Sequence, residues 1–73
     1  MKTALVAVRG WDPDGWTRRI AELLPDHRIL QTARTGEYSG KVPLDEVSYL
    51  LAWKPSPELL PHLTGLEAIF SLG

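Results

Sequence analysis

Apolar residues fall along this chain in short blocks, and the form of each block differs. Ala4-Leu5-Val6-Ala7-Val8 is unbroken rather than alternating, as is Tyr49-Leu50-Leu51-Ala52-Trp53. Unbroken apolar runs of this length are what a strand needs when both faces of a parallel sheet are covered. They predict the first and third strands. Arg28 to Thr32, centred on Ile29-Leu30 and placed after Pro25-Asp26, predicts the second, and Leu66 to Phe70 the fourth. A different spacing links Trp16, Ile20, Leu23 and Leu24, which share one face of a helix while Arg18, Arg19 and Glu22 fall largely on the other. Asp12 can cap that helix, Pro13 can occupy its first turn without wasting a donor, and Asp14 suits the positive end of its dipole. Pro25 prevents its continuation. Ser56-Pro57-Glu58 repeats the order of cap, proline and acid, which predicts a short helix through Leu59, Leu60 and Leu63 ending near Gly65. Between the second and third strands, Gly36, Gly40 and Pro43 mark an irregular surface connection, with one helical turn expected over Leu44 to Val47.

Strand, helix, strand, loop, strand, helix, strand is a βαβ pattern. Right-handed crossovers leave few arrangements for it, the simplest being an α/β domain with a parallel sheet in the order 2-1-3-4 and flanking helices, as in flavodoxin-like folds. Ligands of such sheets sit beyond the carboxyl ends of the strands, where the direction of connection reverses. Here the reversal falls between strands one and three. It singles out Arg9-Gly10-Trp11, Trp53-Lys54-Pro55 and Ser71-Leu72-Gly73.

Composition narrows the chemistry. The chain has 73 residues, enough for one domain near the size at which a single core only just offsets chain entropy. Its net charge of -1, with acids and bases interspersed, provides no basic stripe for nucleic acid. It has no cysteine, which excludes disulfides, thiolate metal sites and a cysteine nucleophile, and fits a reducing cytoplasm. The five small apolar residues after Met1-Lys2-Thr3 are too few for a signal peptide or a membrane span. No glycine-rich phosphate loop follows the first strand, so the chain alone is not expected to bind a dinucleotide. The third strand ends in Trp53-Lys54 rather than an acceptor aspartate, which disfavours phosphorelay. His27 and His62 lack metal-ligand spacing and read as surface residues.

The last third of the chain is more specific. Tyr49-Leu50-Leu51-Ala52-Trp53-Lys54-Pro55, followed after a leucine-rich segment by Leu66-Glu67-Ala68-Ile69-Phe70-Ser71-Leu72-Gly73, resembles the substrate-binding domain of the D-isomer-specific 2-hydroxyacid dehydrogenases, glyoxylate/hydroxypyruvate reductase type. Trp11-Asp12-Pro13 and Trp16 resemble the first loop and helix of the same family, so the likeness spans most of the chain and is weakest from Gln31 to Val47. The resemblance implies an oxidoreductase that passes hydride from NADPH or NADH to a small 2-oxoacid such as glyoxylate or hydroxypyruvate. It implies a substrate carboxylate resting on backbone amides at Leu72 and Gly73, with Trp53 walling the pocket and Lys54 adding charge at a variable position. The family's catalytic arginine and histidine and its cofactor loop lie beyond Gly73. Residues 1–73 are therefore expected to be the N-terminal part of an incomplete substrate domain, inactive alone and without a cofactor of its own.

Each of these residues also has a plainer reading. Trp53 can serve as core filler, Lys54 and Arg9 as solvated charges at strand ends, and Leu72-Gly73 as a frayed terminus. Asp12 and Asp14 are explained by the helix start without catalysis, and Trp11 and Trp16 by packing across it. The rival reading of the whole chain is a free-standing flavodoxin-like binding or interaction module without catalysis. It predicts a last strand blunted by charge or proline. Ala68-Ile69-Phe70-Ser71-Leu72 offers neither, so a homo-oligomer through this edge is expected when nothing else covers it.

Overall fold

The computed structural model describes residues 1–72. β1 (Thr3–Val8) leads into α1 (Pro13–Leu23), which returns to β2 (Arg28–Gln31). A long connection ending in a 3₁₀ turn at Leu44–Glu46 feeds β3 (Tyr49–Trp53), and a second 3₁₀ turn at Leu60–His62 precedes β4 (Ala68–Ser71). All strand pairings are parallel, in the order β2-β1-β3-β4. The fold is a small α/β sheet with one α-helix among the described residues.

The sheet separates two apolar layers because neighbouring side chains on a strand point to opposite faces. Ala4, Val6 and Val8 of β1 pack with Leu51 of β3 under Ile20 of α1. On the other face Leu5 and Ala7 pack with Leu50 and Ala52, covered by Val47, Leu59 and Leu63 from the connecting segments. Register aligns these sets, with Leu5 opposite Leu50 and Val6 opposite Leu51. Every side chain of β1 is buried, as its unbroken run requires of a central strand.

α1 begins where its residues predict. The Asp12 side chain accepts a hydrogen bond from the Asp14 amide at 3.0 Å, and Pro13 occupies the first helical position. Trp11, immediately before the cap, stacks on Trp16 in the first turn with ring centroids 5.9 Å apart, a hydrophobic staple that fixes how the chain enters the helix.

The structure corrects the sequence reading in three places. The segment from Ser56 to Gly65 is a turn followed by a 3₁₀ turn at Leu60–His62, not an α-helix. Pro61 explains this, since it has no amide to give to residue 57 and its ring collides with that carbonyl in an α-helix. Leu59 and Leu63 are still buried as expected, whereas Leu60 is exposed. Leu23, expected on the packed face of α1, is 69% exposed, because its neighbour on that side is an open groove and not another element. β4 runs from Ala68 to Ser71, two residues later at its start than predicted. Ile69 and Phe70, on opposite faces of that edge strand, are 60% and 52% exposed.

Candidate functional site

At the carboxyl ends of the strands the backbone is tied from segment to segment. The Arg9 amide donates to the Trp53 carbonyl at 3.1 Å, the Gly10 amide to the Arg34 carbonyl at 3.0 Å and the Thr32 amide to the Val6 carbonyl at 3.0 Å. The exits of β1, β2 and β3 thereby meet at one edge. Left-handed backbone among the described residues occurs only here, at Gly10 (φ 88°), Gly36 (φ 92°) and Lys54 (φ 48°). At Gly36 a β-carbon would stand 3.6 Å from the Arg9 side chain, so the residue serves for its backbone angle more than for space. Lys54 is the position where a side chain is retained despite that angle, and such outliers concentrate at functional edges.

Trp53 and Lys54 stand together at this edge. The Trp53 indole is half-buried at the rim of the α1-side layer. Trp11 stacks on it with centroids 4.8 Å apart and planes 13° from parallel, and Trp16 continues the column beyond Trp11. The Lys54 ammonium lies over the Trp53 ring, 5.5 Å from its centroid, a cation–π contact. All three tryptophans of the chain thus belong to one stack beside the edge. Sequence reasoning placed Trp53, Lys54 and Trp11 at this edge, with packing across the helix entry as the plainer reading of Trp11. Its position three residues after the end of β1, before a cap, signals the staple but not the contact to Trp53, which exists only because β1 and β3 are neighbours.

Leu72 sits differently from the expected carboxylate cradle. Its amide donates to the Ala52 carbonyl at 2.9 Å, extending the β3–β4 ladder, and its side chain joins the α1-side layer. That donor is engaged and not offered to a ligand. Gly73, the other residue of the expected cradle, lies outside the described residues. Arg9 leans toward Gly36 on the opposite side of the sheet from the tryptophans. Asp12 and Asp14 are engaged as their placement predicts, Asp12 in the cap and Asp14 accepting from the Gln31 amide nitrogen at 2.7 Å.

Charge pairing separates the two ends of the sheet. The ion pairs among the described residues, Lys2 with Glu67 at 2.7 Å and Arg28 with Glu46 at 3.5 Å, both sit at the amino ends of strands. The hydrogen bond from Lys2 holds the Glu67 carboxyl below the usual carboxylate range, and the same bond holds the Lys2 ammonium above its own. At the carboxyl ends Arg9, Arg34 and Lys54 form no ion pair with a described residue. The described residues contain no group of three or more histidine, aspartate or glutamate side chains placed to hold a metal ion. Among the described residues no helix is long and apolar enough to cross a membrane.

An apolar groove of about 410 Å³ opens on the α1 side, between Leu23 and Leu24 of the helix and Tyr49, Leu51 and Phe70 of the sheet. It lies over the bare flank of β3 and β4, away from the tryptophan stack. Comparison with known proteins returned no matching family model, no matching curated protein and no matching solved structure.

Proposed function

We propose that the chain is the N-terminal part of the substrate domain of a cytoplasmic NADPH- or NADH-dependent reductase of small 2-oxoacids, of the glyoxylate/hydroxypyruvate type. One observation carries the reading. The segments that resemble that family, Trp11-Asp12-Pro13, Tyr49 to Pro55 and Leu66 to Gly73, the last described as far as Leu72, are far apart in sequence, yet three neighbouring elements bring their described ends to a single edge of the sheet. This is the edge at which an open α/β sheet meets its ligand. In this reading the edge supplies binding groups and a second domain supplies the nicotinamide, the arginine that polarises the keto oxygen and the histidine that protonates it. The bare flank of β4 and the groove beside Leu23 are then surfaces that further chain covers, which accounts for the exposure of Ile69 and Phe70.

The test is the intact mass of the protein purified from the cells that make it, followed by oxidation of NADPH or NADH in the presence of glyoxylate or hydroxypyruvate. A species several-fold heavier than 73 residues that consumes reduced cofactor only when a 2-oxoacid is present supports the reading. A 73-residue species without such activity removes it in favour of the interaction module, and the exposed β4 edge then becomes the surface to assay.

A further inference from the structure

Of the strands among the described residues, only β4 carries large apolar side chains that stand exposed, Ile69 at 60% and Phe70 at 52%. They lie on opposite faces of the sheet. Phe70 is in register with Leu51 on the α1 side, and Ile69 with Leu50 on the other. A helix or small molecule laid in the groove beside Leu23 would cover Phe70 and leave Ile69 in water. A strand added along β4 covers both, because its own side chains alternate between the two faces. The backbone is turned to receive one. The amides of Ala68 and Leu72 donate inward, to the Ser48 and Ala52 carbonyls at 3.4 and 2.9 Å, so alternation along the strand turns the Ile69 amide outward. No proline or charge interrupts Ala68–Ser71. The opposite edge of the sheet is blunted. Ile29 and Leu30 of β2 are partly buried in the two apolar layers, and Arg28 at its start is held by Thr3 at 3.0 Å and Glu46 at 3.5 Å.

We infer that the strand completing β4 is β4 of a second copy of this chain, running antiparallel across a twofold axis normal to the sheet at Phe70. Such an axis keeps like faces together, so Phe70 meets Phe70 on the α1 side while the added strand covers Ile69 on the other. Charge selects the direction. Parallel pairing would set Glu67 of the two copies side by side, whereas antiparallel pairing sends them to opposite ends, each beside its own Lys2 at 2.7 Å. Glu67 also selects the register. A pairing centred on Ile69 would need the Glu67 amide for the new ladder, and that amide is given to the Ser48 carbonyl at 2.7 Å. One centred on Phe70 stays within Ala68 to Leu72. Assembly stops at two copies, because the joined sheet ends in the blunted β2 on either side. The groove between Leu23 and Tyr49 is left open.

The experiment is sedimentation of the 73-residue chain over a range of concentrations, with variants that separate backbone pairing from apolar contact. The parent chain is expected to pass from monomer to dimer and go no further. Ile69→Pro removes the outward amide and leaves the ladder to β3 intact, and is expected to weaken dimerisation by about tenfold with the sheet retained in amide dichroism. Phe70→Lys, at an exposed position on the other face, is expected to act in the same direction and serves if proline disturbs the strand. The chain has no cysteine, so Phe70→Cys and Ile69→Cys each carry a single thiol. Across an axis at Phe70 the Cα atoms of that residue approach to about 4.5 Å, within disulfide range, so Phe70→Cys is expected to link two copies in air about tenfold faster than Ile69→Cys. Monomer throughout, dimerisation undiminished in both Ile69→Pro and Phe70→Lys, or a mass that keeps growing with concentration would overturn the pairing. Equal linking by the two cysteine variants would overturn the register centred on Phe70. None of these measurements touches the 2-oxoacid reading, which stands or fails on oxidation of the reduced cofactor.

Discussion

In the left-handed region the β-carbon of an L-residue crowds the following carbonyl oxygen, at a cost of about 1–2 kcal/mol. Lys54 bears that cost at φ 48°, where Gly10 and Gly36 meet similar angles freely. Lys54→Gly is therefore expected to raise stability by roughly 1 kcal/mol in denaturant unfolding, less what the cation–π contact returns. At the opposite edge, Glu67 has its pKa lowered by Lys2 on folding, so its contribution is present above the unfolded carboxylate range, about pH 4–5, and is lost as acid protonates the folded group. Lys2 is raised by the same bond, so its contribution is present below the unfolded lysine range, about pH 10, and is lost above it. Both groups are exposed, and the effect is small and screened by salt. Denaturant midpoints measured across pH should fall less steeply at both ends in Glu67→Gln than in the parent chain.

At the scale of elements, the cap of α1 is the most direct test of how local sequence fixes local structure. Removing the Asp12 acceptor in Asp12→Ala leaves an amide of the first turn without its partner and is expected to cost about 1 kcal/mol, read as a lower denaturant midpoint. Strand order, α1 and its cap, the turn at Leu44 and the buried runs of β1 and β3 were legible because each is written in a short window of sequence: a run, a period, a cap, a proline. The second helix was misread because Ser56-Pro57-Glu58 carries a start signal whose consequence Pro61 cancels four residues into the helix. Leu23 was misread for another reason. Its spacing is right for the packed face, and only the absence of a neighbour among the described elements leaves it exposed. The edge bearing the candidate site was legible from topology, and Trp53 and Lys54 with it. Trp11 against Trp53 and the commitment of the Leu72 amide were not, because both depend on contacts between strands that no local pattern records.

For the molecule as a whole, the imbalance between its two flanks matters most. β1 is buried on both faces, while β4 presents Ile69 and Phe70 on opposite sides and is an edge strand of the sheet among the described residues. The chain taken alone is expected to self-associate at micromolar concentration in gel filtration, and Phe70→Lys to shift it toward monomer without loss of fold, since that side chain is 52% exposed. The gathering of Trp11, Trp16 and Trp53 into one column has a further consequence. The entire indole emission of the protein originates at one end of the sheet, and rings this close should couple electronically, producing a paired positive and negative band in ultraviolet circular dichroism. Emission will report the opening of the strand ends, while amide dichroism reports the sheet. If the two signals are lost together on heating, the domain melts as a unit; if emission changes first, the carboxyl-end edge opens ahead of the sheet that carries it.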